Sequence, residues 1–309
     1  MVGCRKLYSF LLAFLLPVPA LWAQGADALP FTRIERDPAN AALAGAGTAY
    51  TGSVAWKAFS DAATLPFYSG TLDAAVAYQR YAPGTAPSNN VLFGAAYKLQ
   101  SGLALSLGYA LDAGQSYPEL GQYGEPVGTI KPKSHLLALG AGLGIAENLS
   151  LGVNLRYAVQ KGAEKYSGLS GDISLAWQPL EQLRVTAGAA TLGTSLVSQD
   201  GYTYAQPASA RVGACWNQLL GRNSSLDVMA SGDFFFSRQY SAALGVQYAW
   251  RNMIYARCGY RMASAACVIP SHLGIGLGAR YQNFRLDLSL LTASKALGNT
   301  LALGLGYAF

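Results

Sequence analysis

From about Thr71 to the last residue the chain alternates large apolar and small or polar residues with period two, in one short run after another. The final run shows the pattern most cleanly. Leu301, Leu303, Leu305, Tyr307 and Phe309 fall on one face of an extended strand, and Ala302, Gly304, Gly306 and Ala308 on the other. A strand of a soluble sandwich turns polar residues to water on its second face. Here that face is bare, which suits a wall whose outside meets lipid and whose inside is crowded.

Taking the large residues in order gives about fourteen strands, an even number as a closed antiparallel barrel needs. The first seven carry Leu72 to Tyr78, Val91 to Tyr97, Leu103 to Tyr109, Leu137 to Leu143, Leu149 to Tyr157, Ile173 to Trp177 and Leu183 to Ala187. The rest carry Ala210 to Trp216, Leu226 to Ala230, Leu244 to Trp250, Ile254 to Tyr260, Leu273 to Tyr281, Phe284 to Leu290 and the terminal run. Connections provide an independent check. Short turns are expected at Gln100-Ser101-Gly102, Glu147-Asn148, 179–182, near Leu220-Gly221-Arg222, Arg251-Asn252 and Gln282-Asn283, all at one end. Longer connections at 112–131, 193–206 and 263–269 fall at the other end, so both termini belong on the short-turn, periplasmic side. Aromatic residues then form two girdles: Tyr78, Tyr109, Tyr157 and Tyr260 above, and Tyr97, Trp177, Trp216, Trp250, Tyr281 and Phe309 below.

Composition agrees with an all-β transmembrane barrel. The chain is 51% hydrophobic and 12% charged, where a soluble domain carries about 25% charged residues. No apolar run reaches the roughly 18 residues of a spanning helix beyond the N-terminus. Residues 1–23 read as a signal peptide, with Arg5 and Lys6 before the apolar stretch from Leu7 to Leu16 and a cleavage point after Ala23. Cys4 precedes that stretch, so it is not the cysteine of a lipoprotein leader. Cleavage leaves a net charge of about +4, the +6 of the whole chain less those two cations, too mild to indicate nucleic acid. Cys215, Cys258 and Cys267 remain; their number and spacing suit neither a paired disulfide framework nor a metal site, and they read as small apolar residues.

Residues 24–70 lack the alternation. Asp37 as N-cap, Pro38 at the first helical position and Gly45 as a stop predict a short helix, and 53–59 and 61–65 each predict a further turn before Pro66. The segment is too small for a core of its own. Inward parity places Ala104, Ser106, Gly108, Gly140, Gly142, Gly144, Gly152, Gly188, Gly213, Gly274, Gly276 and Gly278 in the lumen, and such glycines mark close approach of another backbone or a ligand. The reading is a plug of residues 24–70 inside a barrel of residues 71–309.

Inward charges are few: Asp73, Arg156, Asp172, Arg184, Arg211, Asp227, Asp233, Arg257, Arg261, Arg280, Arg285 and Asp287. Two readings stand. One is a salt-bridge network joining strands and plug. In the other, the basic side formed by Arg184, Arg211, Arg257, Arg261, Arg280 and Arg285 binds the plug acids Glu35, Asp37 and Asp61, or the carboxylate of an acidic amphiphile. An enzyme is not expected, and no cofactor is implied. The two histidines, His135 and His272, point outward and inward on distant strands, and Ser134 and Ser271 face away from their neighbours, so no catalytic dyad forms.

The terminal Phe309, with Tyr307 two residues before it, resembles the C-terminal sorting signal that the barrel-assembly machinery reads in the outer membrane of Gram-negative bacteria. Further upstream, Ala44-Gly45-Ala46-Gly47-Thr48-Ala49-Tyr50 and Trp56-Lys57-Ala58-Phe59-Ser60-Asp61-Ala62-Ala63-Thr64-Leu65-Pro66 precede the strands. This arrangement resembles the FadL-like superfamily of outer-membrane fatty-acid transporters. Within it, the Leu29-Pro30-Phe31 opening and compact loops are most similar to the PorV/PorQ branch of type IX secretion proteins. One departure is Asp61-Ala62-Ala63, where the family usually shows Asn-Pro-Ala. The branch implies a barrel acting in protein secretion or surface delivery, with a secretion-system or cargo protein as partner through the 112–131 loop. The wider superfamily implies transport of hydrophobic or amphiphilic small molecules with exit through the wall, and a purely structural barrel is the third alternative.

Overall fold

A computed structural model describes residues 29–309 except 85, 86, 100, 101, 195, 198–202 and 266. The signal-peptide reading of 1–23 and the first residues of the expected plug lie outside the described residues, as does part of the Gln100-Ser101-Gly102 turn.

Fourteen antiparallel strands close on themselves. They are β1 (Leu72–Tyr81), β2 (Ser88–Lys98), β3 (Leu103–Gly114), β4 (Lys133–Ala146), β5 (Leu149–Lys161), β6 (Lys165–Leu180) and β7 (Leu183–Gly193), then β8 (Ser209–Leu220), β9 (Ser224–Phe235), β10 (Tyr240–Trp250), β11 (Ile254–Ala263), β12 (His272–Tyr281), β13 (Phe284–Thr292) and β14 (Thr300–Ala308). Each pairs with its sequence neighbours, and β14 closes against β1 from Asp73 opposite Ala308 to Arg80 opposite Leu301. Closure leaves no sheet edge to satisfy. Phe309 seals the seam, its carbonyl accepting from the Thr71 and Leu72 amides at 2.6 and 2.7 Å.

Parity holds around the ring except at one irregularity on β7. Large residues on the outward positions, Leu105, Leu155, Val246 and Leu303 among them, are exposed, and so are all ten girdle aromatics. An exposed apolar belt on this scale belongs in hydrocarbon, not water. At the lower rim Phe284 and Tyr307 meet edge to face, ring centroids 5.3 Å apart.

Several strands run further than their apolar pattern. β6 continues up to Lys165 and down to Leu180, leaving only Glu181 and Gln182 between it and β7 rather than the four-residue turn expected. β4 starts at Lys133 and β5 ends at Lys161, because the wall climbs beyond the apolar belt on this side and polar residues take over its outward face. The 112–131 connection carries its own hairpin, Tyr117–Leu120 against Pro126–Ile130, and a two-residue ladder, Leu196–Val197 with Thr203–Tyr204, lies in the connection after β7.

Residues 29–70 fill the lumen. After a 3-10 turn at Pro30–Arg33 comes α1 (Pro38–Ala42), then two more 3-10 turns at Lys57–Phe59 and Ala62–Phe67. Asp37 caps α1 by accepting from the Ala39 amide at 2.9 Å, and Gly45 follows with φ of 82°. The last turn passes through Pro66 instead of stopping before it. Asp61 caps it, accepting from the Ala63 amide at 3.0 Å. Aspartate and asparagine are equivalent N-caps, so the departure from Asn-Pro-Ala keeps the turn.

Candidate functional site: the space between plug and wall

The plug docks where the wall has no side chains. A Cβ on Gly259 would strike the backbone of Leu43, one on Gly152 the backbone of Ala63, and one on Gly94 the carbonyl of Ala55. Gly142 meets Ala62, and Gly274 would place a Cβ 2.6 Å from the Ala41 carbonyl. Gly142, Gly152 and Gly274 were legible by parity as lumen glycines; Gly94 and Gly259 obey the same parity and approach the plug backbone comparably closely. Gly188 instead faces β6, with Ile173 and Ser174 against it.

Buried polar groups of the wall complete the docking by satisfying plug backbone. Asp73 accepts from the Val54 and Ala55 amides at 2.7 and 3.1 Å. Asn154 accepts from the Ala62 amide at 3.1 Å and donates to the Lys57 and Ala58 carbonyls, both at 2.9 Å. Ser150 donates to the Ala63 carbonyl, and Ser231 to that of Gly45 at 2.9 Å. Charge alone did not reveal Asn154, Ser150 or Ser231. Their signal was a lone polar side chain at an inward position among glycines and alanines.

The inward charges all face the lumen, yet they pair differently from the sharper expectation. Among the described residues no wall arginine forms an ion pair with a plug acid. Arg211 and Arg261 share Asp233 at 2.7 and 3.4 Å. Arg257 holds Asp287 at 2.6 Å, and Arg285 bridges Asp287 and Asp73 at 3.0 and 3.3 Å. Arg184, Arg261 and Arg280 donate to the plug carbonyls of Ala49, Ala44 and Gly52. An ion pair between plug and wall among the described residues has the opposite polarity: Arg36 of the plug meets Asp112 of β3 at 2.6 Å. Glu35 is spent on its own segment, accepting from the Arg36 and Asp37 amides and from Asn40. Asp61 accepts from Ser174 at 2.6 Å as well as from its own helix. Short acidic side chains on tight turns satisfy nearby amides first, which leaves them without an ion pair to the wall arginines. Asp37 lies near Arg285, but burial, helped by Asp287 and Glu35, pushes its carboxyl up to about 7. Burial likewise pulls the Lys57 ammonium down; its Nζ donates to the Thr48 carbonyl at 2.8 Å.

Among the spaces left around the plug, two bear on passage through the lumen. The outer one, about 100 Å³, lies between the plug and the upper wall, bordered by residues of β1, β5, β7 and β8–β13, beneath the outer connections. Phe59, Tyr81, Phe235 and Ile269 give it apolar surface, and Arg211, Arg261 and Asp233 give it a polar side. The lining is divided about evenly between apolar and polar groups, more polar than the usual small-molecule site and suited to an amphiphilic ligand. The inner one, about 410 Å³, is polar and is bordered by Tyr50, Arg184, Asp227, Gln247 and Arg280. The two share no lining residue, because the belt from Ala41 to Ala46 lies between them against β10–β12.

The wall is irregular beside the outer space. On β6, Gly171 and Ile173 face Leu192 and Ala189 of β7, so β7 carries one extra residue there. This is a β-bulge. Thr191 within it has φ of 56°, an outlier for a β-branched residue. Asp172 accepts from the Thr191 amide at 2.7 Å and is ion-paired with Arg156. Behind the bulge is a recess of about 10 Å³ that shares Ser60 and Arg211 with the outer space.

The remaining residues named from the sequence lie as parity placed them. Tyr307 and Phe309 face outward on the closing seam. Cys215 is buried inside and Cys258 exposed outside, both free, as is Cys267. His272 is buried, while His135 on the outer surface bonds Tyr109 Oη at 2.8 Å.

The closed fourteen-stranded antiparallel barrel recurs in solved structures of outer-membrane proteins. The Ralstonia pickettii toluene transporter TbuX superposes with a TM-score of 0.62 at 12% identity, covering 88% of this chain and 97% of that one. The Pseudomonas putida toluene transporter TodX gives 0.58 at 13%, over 88% and 98%. A Pseudomonas aeruginosa FadL homologue gives 0.52 at 10%, again over 88% and 98%. At the level of sequence no family model and no curated protein matches the chain.

Proposed function

We propose that the barrel takes small hydrophobic or amphiphilic molecules from outside a Gram-negative cell and passes them across its outer membrane. The observation that carries this reading is the outer space, whose lining combines aromatic and aliphatic groups with the Arg211, Arg261 and Asp233 cluster. Its free volume falls somewhat short of the roughly 150 Å³ in which an apolar cavity takes up benzene. A ligand of one ring therefore enters by displacing side chains at the outer rim. The toluene transporters of the same fold support this reading, whereas the secretion role drawn from the PorV/PorQ resemblance has no counterpart among the three neighbours named.

The plug separates the two spaces, so passage straight through would require moving a belt pinned by many contacts. The bulge offers a shorter way out, sideways between β6 and β7. Uptake of labelled toluene by cells with and without the gene tests the reading; Ile269→Trp, which fills the outer space, should lower uptake at least several-fold. Equal uptake in the deletion strain would end it.

A partner role keeps one specific observation in its favour. The outer hairpin exposes Tyr117, Leu120 and Val127, and Tyr123 at its tip is 90% exposed. Removing 116–130 leaves uptake intact if transport is the function. Loss of a co-purifying cargo protein in that variant would instead favour secretion.

A further inference from the structure

The upper rim of the wall carries a row of like charges that no fold requirement explains. In register, Lys133 of β4 stands opposite Lys161 of β5, and Lys161 opposite Lys165 of β6. All three occupy outward positions above Leu137, Tyr157 and Leu169, and all are exposed, as is Lys131 just before β4. Neighbouring strands lie about 4.8 Å apart, and like charges placed directly opposite one another are destabilising. Among the described residues none of the four lysines makes an ion pair or a side-chain hydrogen bond. The nearest acid in sequence, Glu164, accepts from Tyr166. Elsewhere on the rim an outward cation stands alone: Arg80 faces Asn89 on one side and Leu301 on the other.

The height of the row indicates what it meets. Tyr109 and Tyr157 belong to the outer girdle, which marks the membrane interface. Lys161 lies four residues above Tyr157, about 13 Å along the strand and about 10 Å along the membrane normal at the usual barrel tilt. Long lysine side chains there reach phosphate groups of the outer leaflet while their stems lie along the wall.

We propose that Lys131, Lys133, Lys161 and Lys165 form a binding site for the phosphates of an anionic glycolipid in the outer leaflet. The proposal rests on the barrel spanning the outer membrane and is independent of what it transports. Three cations held in register match a headgroup bearing more than one phosphate better than they match scattered single charges. Each lysine near an anionic surface contributes about five-fold in affinity.

The test uses the full-length barrel extracted from its own membrane, wild type beside Lys133→Gln/Lys161→Gln/Lys165→Gln, with heat-modifiable migration as the check of folding. Co-purified glycolipid is counted by mass spectrometry, and rebinding is measured in nanodiscs containing phosphorylated glycolipid, its dephosphorylated form or phosphatidylglycerol. Wild type should hold phosphorylated glycolipid at least about ten-fold better than the triple variant, release it when it is dephosphorylated, and prefer it to phosphatidylglycerol; Arg80→Gln should behave as wild type. Equal retention by the triple variant overturns the site. Equal binding of the dephosphorylated lipid overturns the phosphate contact, and equal binding of phosphatidylglycerol reduces the row to an unspecific anionic surface. Should the triple variant not fold, Lys161→Gln alone should lower retention about five-fold, and unchanged retention overturns the proposal. A barrel that binds glycolipid but takes up no toluene sinks the transport reading and leaves this one standing.

Discussion

At the scale of single residues, the plug is held by absences as much as by contacts. Gly259 approaches the Leu43 backbone so closely that Gly259→Val cannot be accommodated by a rotamer change, and overpacking of this kind costs about 1–3 kcal/mol or more. Limited proteolysis of the plug should accelerate in this variant and stay unchanged in Gly162→Val, where a Cβ meets nothing. Asp73 does the opposite work, supplying a buried carboxylate to two plug amides and to Arg285. Asp73→Ala leaves the two plug amides without that partner and should destabilise by about 1–3 kcal/mol for each amide left unsatisfied, read as a lower temperature of heat-modifiability; Arg285 keeps Asp287, so the barrel itself should still close. Asp37 adds a pH dependence. Its carboxyl is raised from 3.8 to about 7 in the folded state, so the protonated form is favoured there, and its contribution is complete below pH 3.8 and lost as pH rises through about 7. The groups facing it are Glu35 and Asp287, which raise the value, and Arg285, which lowers it. Plug protection should therefore strengthen from pH 8 to pH 5, and Asp37→Asn, which keeps the cap, should flatten that change.

Among the elements, strand parity explains both what the sequence disclosed and where it stopped. Parity found all fourteen strands, both girdles and the lumen charges except Asp112, which falls in the expected 112–131 connection, because lipid on one side and packed plug on the other punish any slip of register. It stopped at Ala187 on β7, since Ala190 and Thr191 are both buried and Leu192 is outward again. A bulge resets parity, and a run of small residues gives no pattern by which to notice it. Pairing of plug and wall charges was beyond parity altogether, because parity assigns a face but not a partner. The bulge has a function only if the wall opens there. Ile173→Cys with Ala189→Cys, opposed across β6 and β7, should form a disulfide on oxidation in a background lacking the native cysteines. Toluene uptake should then fall on oxidation and recover on reduction; unchanged uptake would leave the side route without support.

For the molecule as a whole, the decisive relation is between a wall that is nearly bare and a segment that fills it. With the plug in place the outer and inner spaces do not join, so a planar bilayer containing the intact barrel should carry no steady ion current. Deleting residues 29–67 removes the belt and leaves the strands and their closing seam untouched. The exposed lumen would present Arg156, Arg184, Arg211, Arg257, Arg261, Arg280 and Arg285 against Asp73, Asp112, Asp172, Asp227, Asp233 and Asp287, a nearly even balance. The deletion variant should therefore conduct steadily, with weak preference between anions and cations, as measured by reversal potential across a salt gradient. Steady current through the intact barrel would mean that the plug is not the seal. A silent deletion variant that still migrates as a folded barrel would mean that the wall arginines collapse across the lumen once their plug carbonyls are gone.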